Sequence, residues 1–158
     1  MSKKYKIVLA ANLILVLAFF AFSVIQKETL FAKGTEILLR LAPVDPRSLM
    51  QGDYMALNYE IFREIDYRSE SGYLVVKVGR DRVAEFVRVQ NDKDVNDGEH
   101  LIRYKRQSGR LSIGADNYFF QEGSGKKFEN AKYGQLKVDS GGNSILVGLC
   151  DKDGRLIE

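Results

Sequence analysis

The feature that most constrains this chain is an uncharged apolar run near its N-terminus, which reads IVLAANLILVLAFFAFSVI from Ile7 to Ile25. About twenty residues at the helical rise of 1.5 Å cover the roughly 30 Å of a bilayer's hydrocarbon core. Asn12 is the only strongly polar interruption. The run has no polar face, which disfavours a buried helix of a soluble protein. We therefore predict a transmembrane helix over residues 7–26.

The charges on either side of the run predict its orientation. Three lysines precede it with no acid among them: Lys3, Lys4 and Lys6. The residues that follow it are a weaker, mixed set: Lys27, Glu28 and Lys33. The positive-inside rule therefore places residues 1–6 in the cytoplasm and the rest of the chain on the far side. Residues 27–35 then form a connector, and residues 36–158 an extracytoplasmic domain.

A cleaved signal peptide is the competing interpretation of the same run. Its apolar region spans about 7–15 residues and ends at a small-residue cleavage site. Ala21-Phe22-Ser23 is an acceptable site, but it lies inside the apolar run, which is long for a signal peptide. An uncleaved anchor is the favoured interpretation.

Charge and cysteine content exclude several classes of function. Without the three N-terminal lysines, 24 − 3 = 21 basic residues balance 21 acidic ones, so the exported part is neutral. A nucleic-acid-binding domain needs a basic face, and none is indicated. The single cysteine, Cys150, rules out an intramolecular disulfide. No His and Cys pattern has metal-ligand spacing, so we expect no metal and no cofactor.

The exported part predicts a mainly β fold, an antiparallel sandwich or partly open barrel with one short helix. Turn signals such as Asn96-Asp97-Gly98 and Asp153-Gly154 separate brief segments, several of which alternate with period two. Only Ser124–Tyr133 has helical character. The predicted strands are Glu36–Leu41, Tyr54–Ile61, Gly72–Val78, Arg82–Val89, Glu99–Lys105, Arg110–Ile113, Asn117–Phe120, Gln135–Val138, Ser144–Leu149 and Arg155–Ile157.

The most distinctive stretch reads PVDPRSLMQGDYMALNY from Pro43 to Tyr59, and it holds both prolines of the chain. Asp45-Pro46 predicts a rigid turn, because Asp bonds its own backbone and Pro fixes φ. Gly52-Asp53 predicts a second turn, where Gly supplies positive φ. A strand is expected to follow, with Leu57, Tyr59 and Ile61 on one face.

This stretch resembles a family of bacterial membrane-anchored proteins named for the motif G-D-Y-x-x-L-x-Y. The residues that carry the resemblance are Gly52, Asp53, Tyr54, Leu57 and Tyr59, preceded by Asp45, Pro46 and Arg47. The anchor and the chain length fit as well. The resemblance implies a protein of a bacterial cytoplasmic membrane without assigned activity, encoded beside polytopic membrane proteins. It therefore implies such a protein as partner, with the motif residues as the binding surface.

A weaker resemblance is to membrane-anchored type I signal peptidases. It rests on the order and spacing of Leu49–Asp53, Glu85–Val89, Tyr118–Gly123, Ala131–Gly134 and Ile145–Leu149 after an N-terminal anchor. It implies a shared β scaffold without the chemistry, which needs a serine nucleophile and a lysine base. The nucleophile position falls on Val44, and the base position falls on Glu85 or Val87.

We therefore expect a non-catalytic accessory protein and assign no catalytic residue. Two alternatives stay open. One is a hydrolase or peptidase-related enzyme on a signal-peptidase-like scaffold. The other is a small-ligand module with an open pocket lined by Tyr54, Tyr59, Tyr118 or Phe120.

Four other features receive structural interpretations. Gly123–Lys127 is too short for a phosphate-binding loop and is expected to be a surface loop. His100 is expected to be an exposed residue at a strand end, and Cys150 a half-buried small hydrophobe. Four acidic residues, Asp92, Asp94, Asp97 and Glu99, are expected to form a solvated turn, because a calcium loop needs a Gly and a distal Glu in register.

Overall fold

The computed structural model describes residues 3–42, 54–66 and 68–158. Helix α1 (Lys3–Lys33) leads directly into a mainly β domain. The domain contains strands β1 (Thr35–Arg40), β2 (Tyr54–Ala56), β3 (Ser71–Val78), β4 (Ala84–Gln90), β5 (Glu99–Gln107), β6 (Arg110–Ser112), β7 (Asn117–Phe119), β8 (Tyr133–Val138) and β9 (Ser144–Cys150). A 3-10 helix (Glu60–Glu64) and a short helix α2 (Gly125–Phe128) complete it.

Helix α1 is one unbroken element of 31 residues. Its apolar side chains are exposed over the whole run, from Ile7 at 68% to Ile25 at 62%. Leu30 is buried, at the point where the helix meets the β domain. The helix continues to Lys33, so residues 27–33 form about two further helical turns between the apolar run and the β domain.

The strands form three small sheets in which every ladder is antiparallel. The three-stranded sheet has the order β1-β8-β9, the four-stranded sheet β4-β3-β5-β6, and β2 pairs with β7 alone. Strand β8 shows the expected period of two, since Gly134, Leu136 and Val138 are buried and the residues between them are not. The antiparallel, mainly β fold is thereby confirmed.

One core fills the space between the sheets. Its most deeply buried side chains from the two larger sheets are Ile37 and Leu39 of β1, Leu74 and Val76 of β3, Ile102 and Tyr104 of β5, Leu136 of β8 and Leu149 of β9. All are 2% exposed or less, so the sheets depend on one another for burial of their apolar faces.

Two backbone contacts tie the sheets together. The Leu38 amide of β1 donates to the carbonyl of Arg82, which precedes β4 and has a φ of 65°. The Arg103 amide of β5 donates to the carbonyl of Gly142 in the β8–β9 turn at 2.7 Å. A Cβ at Gly142 would lie 3.1 Å from that amide, and its φ is +81°, so both space and conformation favour glycine there.

Three sequence predictions about elements are wrong in part. The strand predicted over Tyr54–Ile61 ends at Ala56, because the chain leaves β7 after the bond from the Leu57 amide to Asp116 O. Asn58 O then accepts from the Ala42 amide, and Tyr59 forms an isolated bridge with Leu41. Residues 57–61 still alternate between buried and less buried side chains, but a 3-10 helix begins at Glu60.

The other two lie near the C-terminus of the chain. Arg155–Ile157 makes a single bridge, between Leu156 and Cys150, flanked by hydrogen bonds from the Asp151 amide to Arg155 O and from the Ile157 amide to Leu149 O. The helix predicted within Ser124–Tyr133 is one turn, and Tyr133 already begins β8.

Two single-residue expectations also need correction. Cys150 is fully buried rather than half-buried, and its Sγ lies 3.4 Å from the Gln135 Oε1 of the adjacent strand. His100 is half-buried rather than exposed, because it lies within β5 opposite Val76 and not at a free strand end.

Candidate functional site

The predicted binding residues are only partly within the described chain. Asp45, Pro46, Arg47, Gly52 and Asp53 lie outside it, so the two predicted turns stay predictions. Tyr54, Leu57 and Tyr59 are described, and the structure gives them different surroundings.

Tyr54 lies at the surface end of the motif. It is half-buried in β2, directly opposite Phe119 of β7, and the two ring centroids are 5.8 Å apart. Phe119 is 74% exposed, the most exposed aromatic side chain of the described β domain. The two rings form an aromatic surface, hereafter the Tyr54–Phe119 pair.

Leu57 and Tyr59 lie in the core. Leu57 is buried and its amide donates to Asp116 O at 2.7 Å. Tyr59 is 1% exposed and its hydroxyl donates to the carbonyl of Ala115 at 2.5 Å. Burial is the main cause that raises the pKa of Tyr59 above its usual range, and the negative charge of Asp116 adds to it. A phenol held neutral in this way stabilises the fold and is not placed to exchange protons with solvent.

Gly134 of β8 makes room for the Tyr59 ring. A Cβ at this position would lie 3.0 Å from Tyr59 Cε1 and 3.2 Å from its hydroxyl oxygen. Phe62 contacts the ring from another side in a T-shaped arrangement, with centroids 5.6 Å apart. The ring of the motif's last residue thus packs against a glycine 75 positions later in the chain.

The loop at residues 113–116 anchors the motif, and the sequence analysis missed it. Its carbonyls accept from both Leu57 and Tyr59, while the carboxylate of Asp116 accepts from the Ser112 hydroxyl and from the Ile113 amide at 3.2 Å. The local signal was the Gly114-Ala115-Asp116 turn between two strands, because Asp in a turn bonds nearby backbone. Nothing local connects that turn to the motif.

The motif geometry can be set against known proteins. The family model described as GDYXXLXY protein matches residues 16–149. This chain belongs to the GDYXXLXY family. The match begins within α1 and ends one residue before the end of β9, so the family shares the second half of the helix as well as the β domain.

The other two comparisons found no relative. No curated protein and no solved structure matches the chain. The resemblance to signal peptidases therefore stays a hypothesis.

The positions that a peptidase would use carry no nucleophile or base. Val44 lies outside the described residues, and Glu85 and Val87 are exposed on β4. Where the structure describes serine hydroxyls, their partners are carbonyls, the Asp116 carboxylate and the Tyr104 hydroxyl, as seen for Ser144, Ser112 and Ser69. None of these contacts activates a nucleophile with a lysine or histidine.

The four rings proposed to line a ligand pocket have separate surroundings. Tyr59 is in the core, and Tyr54 contacts Phe119. Tyr118 and Phe120 both pack on Phe128 of α2, with centroids 4.9 and 5.6 Å from its ring.

The Arg88 side chain holds the acidic turn before β5 in place through Glu99. Arg88 makes two hydrogen bonds to the Glu99 carboxylate, at 2.8 and 2.9 Å, and the Asn96 amide adds another. These bonds, with Arg88 first, lower the pKa of Glu99 to about 2. Among the residues with described positions, no group of three His, Cys, Asp or Glu could hold a metal ion.

Proposed function

We propose that this chain is a single-pass protein of a bacterial cytoplasmic membrane. Its β domain would lie on the extracytoplasmic side and act as a non-catalytic accessory subunit of a polytopic membrane protein. The observation that carries the proposal is helix α1. Within the described chain it is the one helix long and apolar enough to cross a membrane, although a signal sequence passes the same test.

The exposure of α1 supports an anchor. Its apolar window has no buried residue, so the β domain covers none of the hydrophobic surface that a membrane would cover. The lysines support the orientation, since Lys3, Lys4 and Lys6 precede the apolar run without an acid, whereas Lys27 and Lys33 follow it together with Glu28.

The last turns of α1 are tied to the β domain, so an anchor that ends near residue 26 would hold the domain against the membrane surface. Leu30 is buried, its carbonyl accepts from the Gly34 amide at 2.9 Å, and Lys137 Nζ lies 5.9 Å from the Phe31 ring centroid.

Asn12 supports a second membrane helix as partner. It is exposed within the apolar run, and no side-chain hydrogen bond to it is formed within the described residues. An amide at lipid depth gains about 1 kcal/mol when it hydrogen-bonds across a helix interface. Ser23 differs, because its hydroxyl donates to Phe19 O of its own helix at 3.0 Å.

The Tyr54–Phe119 pair supports a second contact, outside the bilayer. An aromatic side chain exposed as far as that of Phe119 is costly to leave in water and is typical of interface centres. It is also part of the same motif-bearing strand pair that the family resemblance implies as the binding surface.

Site-specific photo-crosslinking in the native membrane tests this function. A photoreactive residue would replace Asn12 or Phe119 in the full-length chain, and adducts would be identified by mass spectrometry. We expect both positions to crosslink to one polytopic membrane protein. Val95 is the matched control, an apolar side chain 45% exposed in a loop, and it should give no such adduct.

Substitutions add a second measurement. Asn12→Leu and Phe119→Ser should each reduce co-purification of that protein, whereas Ser23→Ala and Val95→Ser should leave it unchanged. Crosslinking only to lipid at position 12 and only to water at position 119 would refute the accessory role while leaving the anchor intact.

A further inference from the structure

The β domain folds back beside the last turns of the apolar helix. A crevice of about 400 Å³ is lined by Ser23, Val24 and Phe31 of α1 together with Ile145 of β9. If the membrane anchor ends near residue 26, the start of β9 lies at the same depth as the last apolar turn of α1. The surface around the β8–β9 turn would then face the lipid headgroups.

A second crevice at this depth is strongly basic. It measures about 300 Å³ and is lined by Lys27 of α1, by Arg103 and Lys105 of β5, and by the β8–β9 turn at Gly142 and Asn143. Arg103 and Lys105 are two residues apart on one strand, and both are exposed, so their side chains lie on the same face of the sheet.

The three cations of this crevice have no acidic counterpart. No carboxylate lines it, and none of the three forms an ion pair within the parts of the chain that the structure describes. Glu28 follows Lys27 along the chain and lines the neighbouring crevice, and two other nearby carboxylates accept hydrogen bonds from their own turns. Asp139 accepts from the Gly141 and Asn143 amides at 2.9 Å, and Asp116 accepts from Ser112. The charge is therefore available to an external anion.

The geometry points to this basic crevice as a binding site for the phosphate of an anionic phospholipid at the outer surface of the membrane. The inference rests on the proposed membrane anchor. Lys27 is the first charged residue after the apolar run, so it marks headgroup depth, and Arg103 and Lys105 share its crevice. A guanidinium and two ammonium groups are hydrogen-bond donors of the opposite charge to a phosphate diester, which is a monoanion that offers only acceptors.

The test uses the full-length chain in nanodiscs of phosphatidylcholine containing one part in four of phosphatidylglycerol. Native mass spectrometry after release from the nanodisc would count retained lipids of each class. We expect the wild-type chain to retain phosphatidylglycerol preferentially. In the Arg103→Gln/Lys105→Gln variant that preference should fall about thirtyfold, since each of the two basic residues near an anionic surface contributes about 1 kcal/mol and every 1.4 kcal/mol is about tenfold.

A charge-matched control separates a site from net charge. Lys132 and Lys152 are both exposed. Lys132 immediately precedes β8 and Lys152 follows β9, at the end of the sheet opposite the helix junction, where Tyr133 pairs with Arg40 and Cys150. Lys132→Gln/Lys152→Gln should leave the preference unchanged. The N-terminal lysines are the same in all three chains, so their attraction for anionic lipid cancels.

Each outcome bears on one claim. An equal loss of preference in both double variants, or no preference in the wild-type chain, would overturn the lipid site. Flotation of carbonate-washed vesicles of pure phosphatidylcholine tests the anchor separately. If the wild-type chain floats but shows no preference, the anchor stands and the lipid site fails. If it does not float, the anchor fails and the lipid site with it.

Discussion

The two tyrosines of the family motif lie in opposite environments although they are five residues apart. Tyr59 is 1% exposed, donates to Ala115 O and lies against Gly134. Tyr54 is half-buried and contacts Phe119, which is 74% exposed. The same residue type is thus buried and hydrogen-bonded in the core at one position, and half-buried beside an exposed ring at the other. The motif therefore contributes one tyrosine to the core and one to the β2–β7 strand pair at the surface.

The largest effect should follow from removing the buried tyrosine. Tyr59→Ala should lower the free energy of unfolding by about 3–5 kcal/mol, since it leaves a ring-sized cavity in the core. Urea unfolding of the full-length chain in detergent can be followed by near-ultraviolet circular dichroism, because tyrosine dominates the signal of a chain without tryptophan. Tyr54→Ala is the paired measurement. An equal loss for the two variants would remove the contrast between the two tyrosines.

A smaller effect should follow from filling the space beside the buried ring. Gly134→Ala should cost about 1–3 kcal/mol by overpacking against Tyr59. Most of that cost should vanish in a Tyr59→Leu background, because the two positions are in contact and their effects are not additive. Gly148→Ala is the control, since its Cβ meets only the tip of the flexible, exposed Leu156 side chain. Additive costs at Gly134 and Tyr59 would contradict the packing described.

The hydroxyl of Tyr59 should contribute less at neutral pH and should add a pH dependence. Tyr59→Phe leaves the buried Ala115 carbonyl without its donor, at a cost of about 1–2 kcal/mol. The pKa of Tyr59 is raised in the folded chain, so the folded state holds its proton more tightly than the unfolded chain does. That contribution is fully present below the ordinary tyrosine pKa of 10.0 and is lost as pH rises above it.

Unfolding measured between neutral pH and pH 11 checks the sign. The wild-type chain should lose stability more steeply above pH 10 than Tyr59→Phe does, so the two curves should approach each other. Parallel curves would mean that the Tyr59 phenol is accessible to water in the folded state.

The smallest effect on stability should come from the exposed ring. Phe119→Ser should change the free energy of unfolding by less than about 1 kcal/mol, because it removes one aromatic contact and little buried area. Its effect should appear in partner co-purification instead. A loss of stability as large as that of Tyr59→Ala would show that Phe119 belongs to the core and would end its role as a contact residue.

Local patterns in the sequence predicted most of the elements. The apolar run predicts α1 because a helix with no polar face needs no tertiary information to be recognised. Most strands follow from period-two alternation between turn signals, as in β8, since each side chain's facing is set by its neighbours. The prediction failed over residues 57–61, where the chain leaves β7 and pairs with Leu41 and Ala42, which no local pattern identifies as its partners.

The sequence by itself thus determined the helix, the class of fold and the family, because these depend on local order and composition. Only the tertiary structure decided which motif tyrosine is buried. That choice depends on Ala115, 56 residues beyond Tyr59, and on the missing Cβ of Gly134. It also decided that Arg103 and Lys105 share a crevice with Lys27 at the end of the domain where α1 enters. Contacts between distant segments arise when the chain closes large loops around a shared core, and no local pattern records which segments will meet.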